Sequence, residues 1–166
     1  SANTRNFIFI FFLVAIGVKS GLIPFHTWLP DAHVSSPDPM TAVLAGVTVK
    51  TGAYILIKFL KIGFFTPFIQ NVFIFLGIIT AVLGVIISLT YWDFKRILAW
   101  ITISQMGLIT ILLVLWTPIS VAAGLYHLIN HALFKTLLFL SIGGMAYLYG
   151  TRDIREIPIL RAEPIF

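Results

Sequence analysis

Leu125–Phe139 reads LYHLINHALFKTLLF, inside an apolar run that continues almost unbroken from Ile119 to Tyr149. His127, His131 and Lys135 follow one another at intervals of four residues. On an α-helix that step advances roughly 6 Å and turns only about 40° past a full revolution. The three ionisable groups therefore climb one face, roughly 12 Å from end to end. An intramembrane lysine costs at least about 2.5–3.5 kcal/mol on insertion scales, so it should face protein or a wet cavity rather than lipid. Imidazoles take up and release protons near neutral pH. A ladder of such groups inside an apolar helix reads first as a path for protons.

The rest of the chain agrees with a membrane setting. Of 166 residues 59% are hydrophobic and 10% charged, and the mean hydropathy is +1.02. That excess exceeds what a soluble core of this size needs, so the chain is expected to be an all-α integral membrane protein. The net charge of +5 does not point to nucleic acid. Lys19, Lys50 and Lys135 lie inside apolar runs, and the other basic residues flank them as in ordinary membrane topology. The absence of cysteine excludes disulfides and thiolate-held metal or iron–sulfur sites within this sequence. The start SANTRN, without Met or a cleavable signal pattern, suggests a truncated, processed or incompletely represented polypeptide.

Five apolar segments can be drawn, each near the roughly 20 residues that cross a bilayer. The first, about Phe7–Phe25, is interrupted by Lys19-Ser20-Gly21 and Pro24, which predicts a helix broken near Lys19–Pro24. His26–Pro39 is read as a short helix and loop folded against the bundle, with Pro39 opening the next helix and Trp28 at an interface. The second span, about Met40–Leu60, carries Lys50 at its middle, and Lys58 and Lys61 at its end. The third, about Phe68–Tyr91, has no ionisable core residue. The corner Asp93-Phe94-Lys95-Arg96 leads to the fourth, about Ile97–Trp116, whose polar core residues are Thr102, Ser104 and Gln105. Thr117-Pro118 turns into the fifth, about Ile119–Gly150, and 151–166 is expected to be a surface tail. Alternation puts the Asp93–Arg96 corner and the tail on one side, with five basic residues against three on the other, which favours the former as cytoplasmic.

Each candidate has a plainer reading. Lys135 could snorkel, but it lies too deep in its span to reach the surface easily. His127 and His131 could be satisfied core histidines, but they share a register with Lys135. Lys50 is central and has no acidic partner in its span, and Lys19 sits at a helix break, a recurrent transporter arrangement. His26 and His33 border the loop as secondary candidates. Asp93, Lys95 and Arg96 read mainly as a capped corner that sets orientation. No acid falls inside a predicted span, so HxxxH lacks the further ligands that a metal would want. A bis-histidine haem would have to recruit His26 or His33. Neither a cofactor nor a metal is expected.

Three blocks carry a resemblance: KSGLIPFHTWLPDAHVSSPDPMTAVLAGVTVKTGAY (Lys19–Tyr54), DFKRILAWITISQMGLI (Asp93–Ile109) and HLINHALFKTLLFLSIG (His127–Gly143). Together they resemble the antiporter-like subunits shared by respiratory complex I, Mrp-type cation/proton antiporters and membrane-bound hydrogenases, with the wording nearest the Mrp and hydrogenase branch. The resemblance implies a fold of two inverted five-helix repeats, each with a broken helix and a half-channel, joined by a hydrated Lys, His and Glu row. It places Lys19 at the lysine of the first broken helix, Lys50 at the connecting position of the next helix, and His127, His131 and Lys135 in the second repeat. Asp93 and Lys95 fall at the cytoplasmic corner. Residues 1–61 would end the first repeat and 68–150 begin the second, all in one membrane domain.

The departures also matter. The glutamate that pairs with the first lysine would lie upstream, and the second broken helix would lie beyond Phe166. The expectation is a proton-translocating subunit, with sodium as a second candidate ion and without a redox site of its own. It would work with other membrane subunits in an energy-coupling bilayer: the prokaryotic cytoplasmic membrane first, the mitochondrial inner membrane second. The competing expectation is a structural role, as a split or degenerate antiporter half that transports nothing.

Overall fold

The computed structural model describes residues 2–62 and 66–157, the side chains from Phe7 onward. Among these the chain is helical: α1 (Ala2–Ser20), α2 (Trp28–Ser35), α3 (Asp38–Val43), α4 (Lys50–Lys61), α5 (Pro67–Ser88), α6 (Phe94–Val114) and α7 (Pro118–Tyr149). A single π turn, Leu44–Thr48, joins α3 to α4, and a 3₁₀ turn, Ile154–Glu156, follows α7. Four helices are long and apolar enough to cross a membrane: Asp38–Lys61, Pro67–Ser88, Phe94–Val114 and Pro118–Tyr149. The apolar stretch of α1, Phe7–Ser20, is shorter.

The predicted break is present. α1 stops at Ser20, and Gly21 takes φ +68°, a left-handed turn that glycine adopts without steric penalty. A Cβ there would make only ordinary contacts with Leu29 and Ile103, so the requirement for glycine comes from the backbone angle. Backbone groups freed inside an apolar bundle must find partners. The Ile23 N–H donates to Thr80 Oγ1 of α5 at 3.0 Å, and Trp28 Nε1 donates to the Val18 carbonyl at 2.8 Å. The Val18 carbonyl also accepts from the Gly21 N–H at 3.3 Å, so Trp28 ties the segment after the break back to the last turn of α1. Trp92 is the exposed tryptophan, with the Arg155 guanidinium over its ring.

α6 is the central helix, packed against α2, α4, α5 and α7. Its contact with α5 is the most extensive in the bundle, and Gly77, Gly84 and Gly107 let the two backbones meet. Ser104 Oγ donates to the Ala81 carbonyl at 2.7 Å, and Gln70 Nε2 to the Val114 carbonyl at 3.2 Å. The main apolar core joins Ile16, Leu56, Phe59, Phe73, Ile103 and Met106 from α1, α4, α5 and α6.

The α6–α7 corner is built as its sequence suggests. Thr117 Oγ1 accepts from the Ser120 N–H at 3.1 Å, and Ser120 Oγ accepts from the Thr117 N–H at 3.0 Å, a reciprocal capping box with Pro118 in the first turn. Thr117→Ala should lower stability by about 1 kcal/mol, read as a small drop in melting temperature, with Thr117→Ser close to wild type. From this cap α7 runs 32 residues without a break. That is roughly 48 Å of helix against about 30 Å of hydrocarbon, so α7 tilts or extends beyond the apolar layer.

The corner before α6 and the segment after α7 come together, as the alternation count required. The Phe94 N–H donates to the Arg152 carbonyl at 3.2 Å and the Ile154 N–H to the Trp92 carbonyl at 3.1 Å. Arg155 holds Asp153 at 2.6 Å, and its hydrogen bonds lower the pKa of that carboxyl to about 2. The remainder of the expected tail, 158–166 with Arg161, lies outside the described residues.

Candidate functional site

α7 has one buried face and one bare one. Its buried residues are Ser120, Gly124, His131, Lys135, Phe139, Ile142 and Gly143, spaced mostly by four, with His127 half-buried on the same line. Leu125, Tyr126, Ile129, Leu133, Leu137 and Leu140 are exposed on the rest of the helix. The ladder therefore turns inward, toward α3, α6 and the π turn, as the cost of a charge in lipid requires.

Each rung has a different environment. His127 Nε2 and Gln105 Oε1 of α6 are 2.7 Å apart. The carbonyl oxygen only accepts, so the ring proton sits on Nε2. Its ring is 6.2 Å from that of His131, centroid to centroid. His131 is fully buried, and neither of its ring nitrogens has a hydrogen-bond partner among the described residues. Lys135 is also fully buried, and its Nζ donates to the Leu98 carbonyl of α6 at 2.8 Å. No carboxylate pairs with it among the described residues.

Lys50 completes the group from the other side. The second span, expected at about Met40–Leu60, lies within the spanning helix Asp38–Lys61 and carries the π turn Leu44–Thr48, which ends two residues before Lys50. The turn's Ala45 carbonyl accepts from Lys50 Nζ. A π turn widens the helix by a residue per hydrogen-bonded ring, and such turns occur frequently at functional sites. Thr136 of α7, one residue past Lys135, donates to the Ala132 carbonyl at 2.9 Å and packs where Gly46 lacks a side chain. Lys50 and Lys135 are both within electrostatic reach of His131, and Lys50 of Lys135. Lys50 also lines a mostly apolar groove of about 370 Å³ between the π turn, α4 and α7.

Two secondary candidates extend the line toward the end of α7. His33 is fully buried on α2, with its ring centroid 5.1 Å from that of Phe139. Its Nδ1 donates to the Leu29 carbonyl at 2.8 Å, which leaves Nε2 as an acceptor, buried and without a hydrogen-bond partner among the described residues. Lys135, Lys50 and Lys95 all lie within its electrostatic reach. Lys95 was read as part of a capped corner, but it is fully buried, 2.6 Å from Asp38 Oδ1, and donates to the Ser36 carbonyl at 2.7 Å. Asp93 alone is the cap, its Oδ1 accepting from the Arg96 N–H at 2.9 Å. The partner of Lys95 is far away in sequence, so local pattern did not reveal it. The available signal was a lysine in the first turn of an apolar helix.

The other candidates stand apart. Lys19 is half-buried at the last turn of α1, and no hydrogen bond or ion pair joins it to the line among the described residues. Its neighbour Ser20 packs on Gly52, two residues past Lys50. The His26 ring lies 5.1 Å from that of Trp100 of α6, centroid to centroid, tilted by 55°. Among the described residues no cluster of His, Asp and Glu has a metal-binding arrangement. The buried groups are amines and imidazoles, which suit proton exchange.

A family model described as NADH:quinone oxidoreductase/Mrp antiporter, transmembrane, matches residues 1–166. A probable K⁺/H⁺ antiporter protein of Rhizobium meliloti is 39% identical over 148 residues, 87% of this chain and 15% of that protein. Hydrogenase-4 component B of Escherichia coli is 33% identical, covering 96% of this chain and 26% of its own length. Among solved structures, the Mrp complex of a Dietzia species superposes with a TM-score of 0.84 at 36% identity, over 92% of this chain and 17% of that one. An archaeal membrane-bound sulfane sulfur reductase superposes with 0.85 at 35% identity, over 92% and 27%. The chain thus spans between 15% and 27% of the relatives named here.

Proposed function

Because the chain belongs to the NADH:quinone oxidoreductase/Mrp antiporter transmembrane family, we propose that it moves protons along the row Lys50, His131 and Lys135. In this reading His127 is a further relay and His33 with Lys95 a branch toward one membrane face. The observation that carries it is the burial of two lysines within electrostatic reach of a histidine whose ring nitrogens both lack a described partner, in a bundle whose other buried surface is mostly apolar. A buried polar atom without a protein partner is where bound water or an exchanged proton is expected. Lys19 would join through water beside Ser20 and Gly52. Asp93, the cap of α6, and His26 would act at the margin of the path.

The row suits protons better than sodium, since amines and imidazoles offer an alkali cation no anionic oxygen. Sodium or potassium coupling would rest on groups outside the row. α1 and α2 together would make a fifth, interrupted crossing, residues 1–61 ending one inverted repeat and 68–150 beginning the next. The bare face of α7 fits contact with further helices, in keeping with a role among other subunits of a membrane complex. The bilayer would be an energy-coupling one, the prokaryotic cytoplasmic membrane first.

A scaffold that transports nothing is the second reading, favoured by the separation of Lys19 from the row. Lys50→Ala, in the full complex reconstituted into vesicles, separates the two. Loss of a positioned proton-transfer group should slow translocation roughly 10²-fold, with subunit composition unchanged. A wild-type rate would leave only the scaffold.

A further inference from the structure

One charged cluster lies outside the row. Asp38 at the start of α3, Lys95 in the first turn of α6 and Arg152 just past α7 meet at the end of the bundle where the α6 corner and the post-α7 segment pair. Lys95 Nζ is 2.6 Å and Arg152 Nη2 3.6 Å from the same oxygen, Asp38 Oδ1. Oδ2 takes part in neither pair. The Asp38 side chain is 26% exposed while that of Lys95 is 0% exposed, so the carboxylate stands between a buried amine and the outside. It borders an open pocket of about 560 Å³, whose walls include Ala146, Thr151 and Arg152. α7 makes room for it with Gly143: a Cβ there would lie 2.6–2.9 Å from Asp38 Cβ, Cγ and Oδ2.

We propose that Asp38 is the port through which the buried row exchanges protons with water at this face, a role that rests on the translocation reading above. The groups facing it are Lys95 from α6 and Arg152 from the following segment. Behind Lys95, His33 Nε2 is buried and free to accept, within electrostatic reach of both Lys95 and Lys135. Asp38 takes a proton from pocket water on Oδ2. Lys95 releases one of its protons inward to His33 Nε2 through water, and recovers one from the Asp38 carboxyl. One proton enters and one moves on, the His33 Nδ1–H stays on the Leu29 carbonyl, and no electron changes place. Arg152, 3.6 Å from Oδ1, holds the carboxylate at the pocket wall.

The test uses the full complex in vesicles, with Asp38→Asn, Asp38→Glu, Ala146→Phe and Lys135→Ala compared in parallel. Asp38→Asn should slow translocation at least about tenfold, and formate in the buffer at that face should restore the rate by entering the pocket as a small acid. Asp38→Glu should keep most of the rate. Ala146→Phe should fill the pocket and slow translocation with the charges left in place, which keeps the proposal open to test if Asp38→Asn fails to assemble. A wild-type rate in Asp38→Asn or Ala146→Phe beside an inactive Lys135→Ala overturns the port and leaves the row standing. Loss in Asp38→Asn that formate does not restore makes the carboxylate a structural clamp, which also overturns it. A wild-type rate in Lys135→Ala removes the translocation reading itself.

Discussion

Replacing Lys135 with alanine should abolish ion translocation while leaving the bundle assembled. Lys135 Nζ is fully buried and bonded to the Leu98 carbonyl, so its removal takes away a proton-exchanging group at the centre of the row. The carbonyl is not orphaned by the change, because Thr102 Oγ1 also donates to it at 2.8 Å. The structural cost is therefore mainly that of the cavity, and the functional cost is a missing relay, worth roughly 10²–10⁴ in rate. Lys135→Arg sharpens the test. A guanidinium keeps the positive charge but does not give up its proton. If a fixed charge were enough, the arginine variant would translocate. The expected result is that both variants fail, with proton uptake into vesicles of the full complex as the readout. Normal uptake by Lys135→Arg would assign the lysine an electrostatic role.

Gly107→Leu should be the most destabilising single change in the bundle. A Cβ at 107 would stand 2.7 Å from Ala81 N, 2.7 Å from Gly77 O and 3.0 Å from Thr80 Cβ. Two of these are backbone atoms of α5 and do not rotate away. The helices would have to separate, loosening the Ser104–Ala81 hydrogen bond and the core below it. The loss should reach the upper end of overpacking, about 3 kcal/mol, read as a lower melting temperature in detergent. Thr80, which holds the broken helix through the Ile23 N–H, is on the same strip of α5. The variant should thus disturb the break as well as the packing. Gly144→Leu is the control: nothing lies within 4 Å of its would-be Cβ, and it should melt near wild type. Equal melting of the two variants would show that close α5–α6 approach is not what holds the bundle.

Much of the architecture was legible because membranes restrict it. Four of the five apolar runs produced helices of spanning length and the first a shorter apolar stretch, while the Gly-Pro interruption after Lys19 and the Thr117-Pro118 start of α7 produced the break and the helix start expected. The inward face of α7 followed from the four-residue spacing of His127, His131 and Lys135, since helix geometry and the cost of lipid exposure act locally. The π turn before Lys50 was not legible. Its residues, Leu44–Thr48, are compatible with an ordinary helix, and the extra residue is accommodated where α7 packs against Gly46.

Composition and period by themselves determined that this protein is a helical membrane bundle with a titratable stripe turned into it. Both are properties of single helices in a low-dielectric solvent that forbids unpaired polar groups. Only the tertiary structure decided which distant groups share that interior. It set Lys50 within electrostatic reach of His131 and Lys135, gave His127 to Gln105, and left Lys19 without a bond to them among the described residues. It also took Lys95 from an apparent surface corner and buried it against Asp38. Pairing across 57 residues depends on how helices cross, and crossing is fixed by side-chain packing that no local pattern encodes.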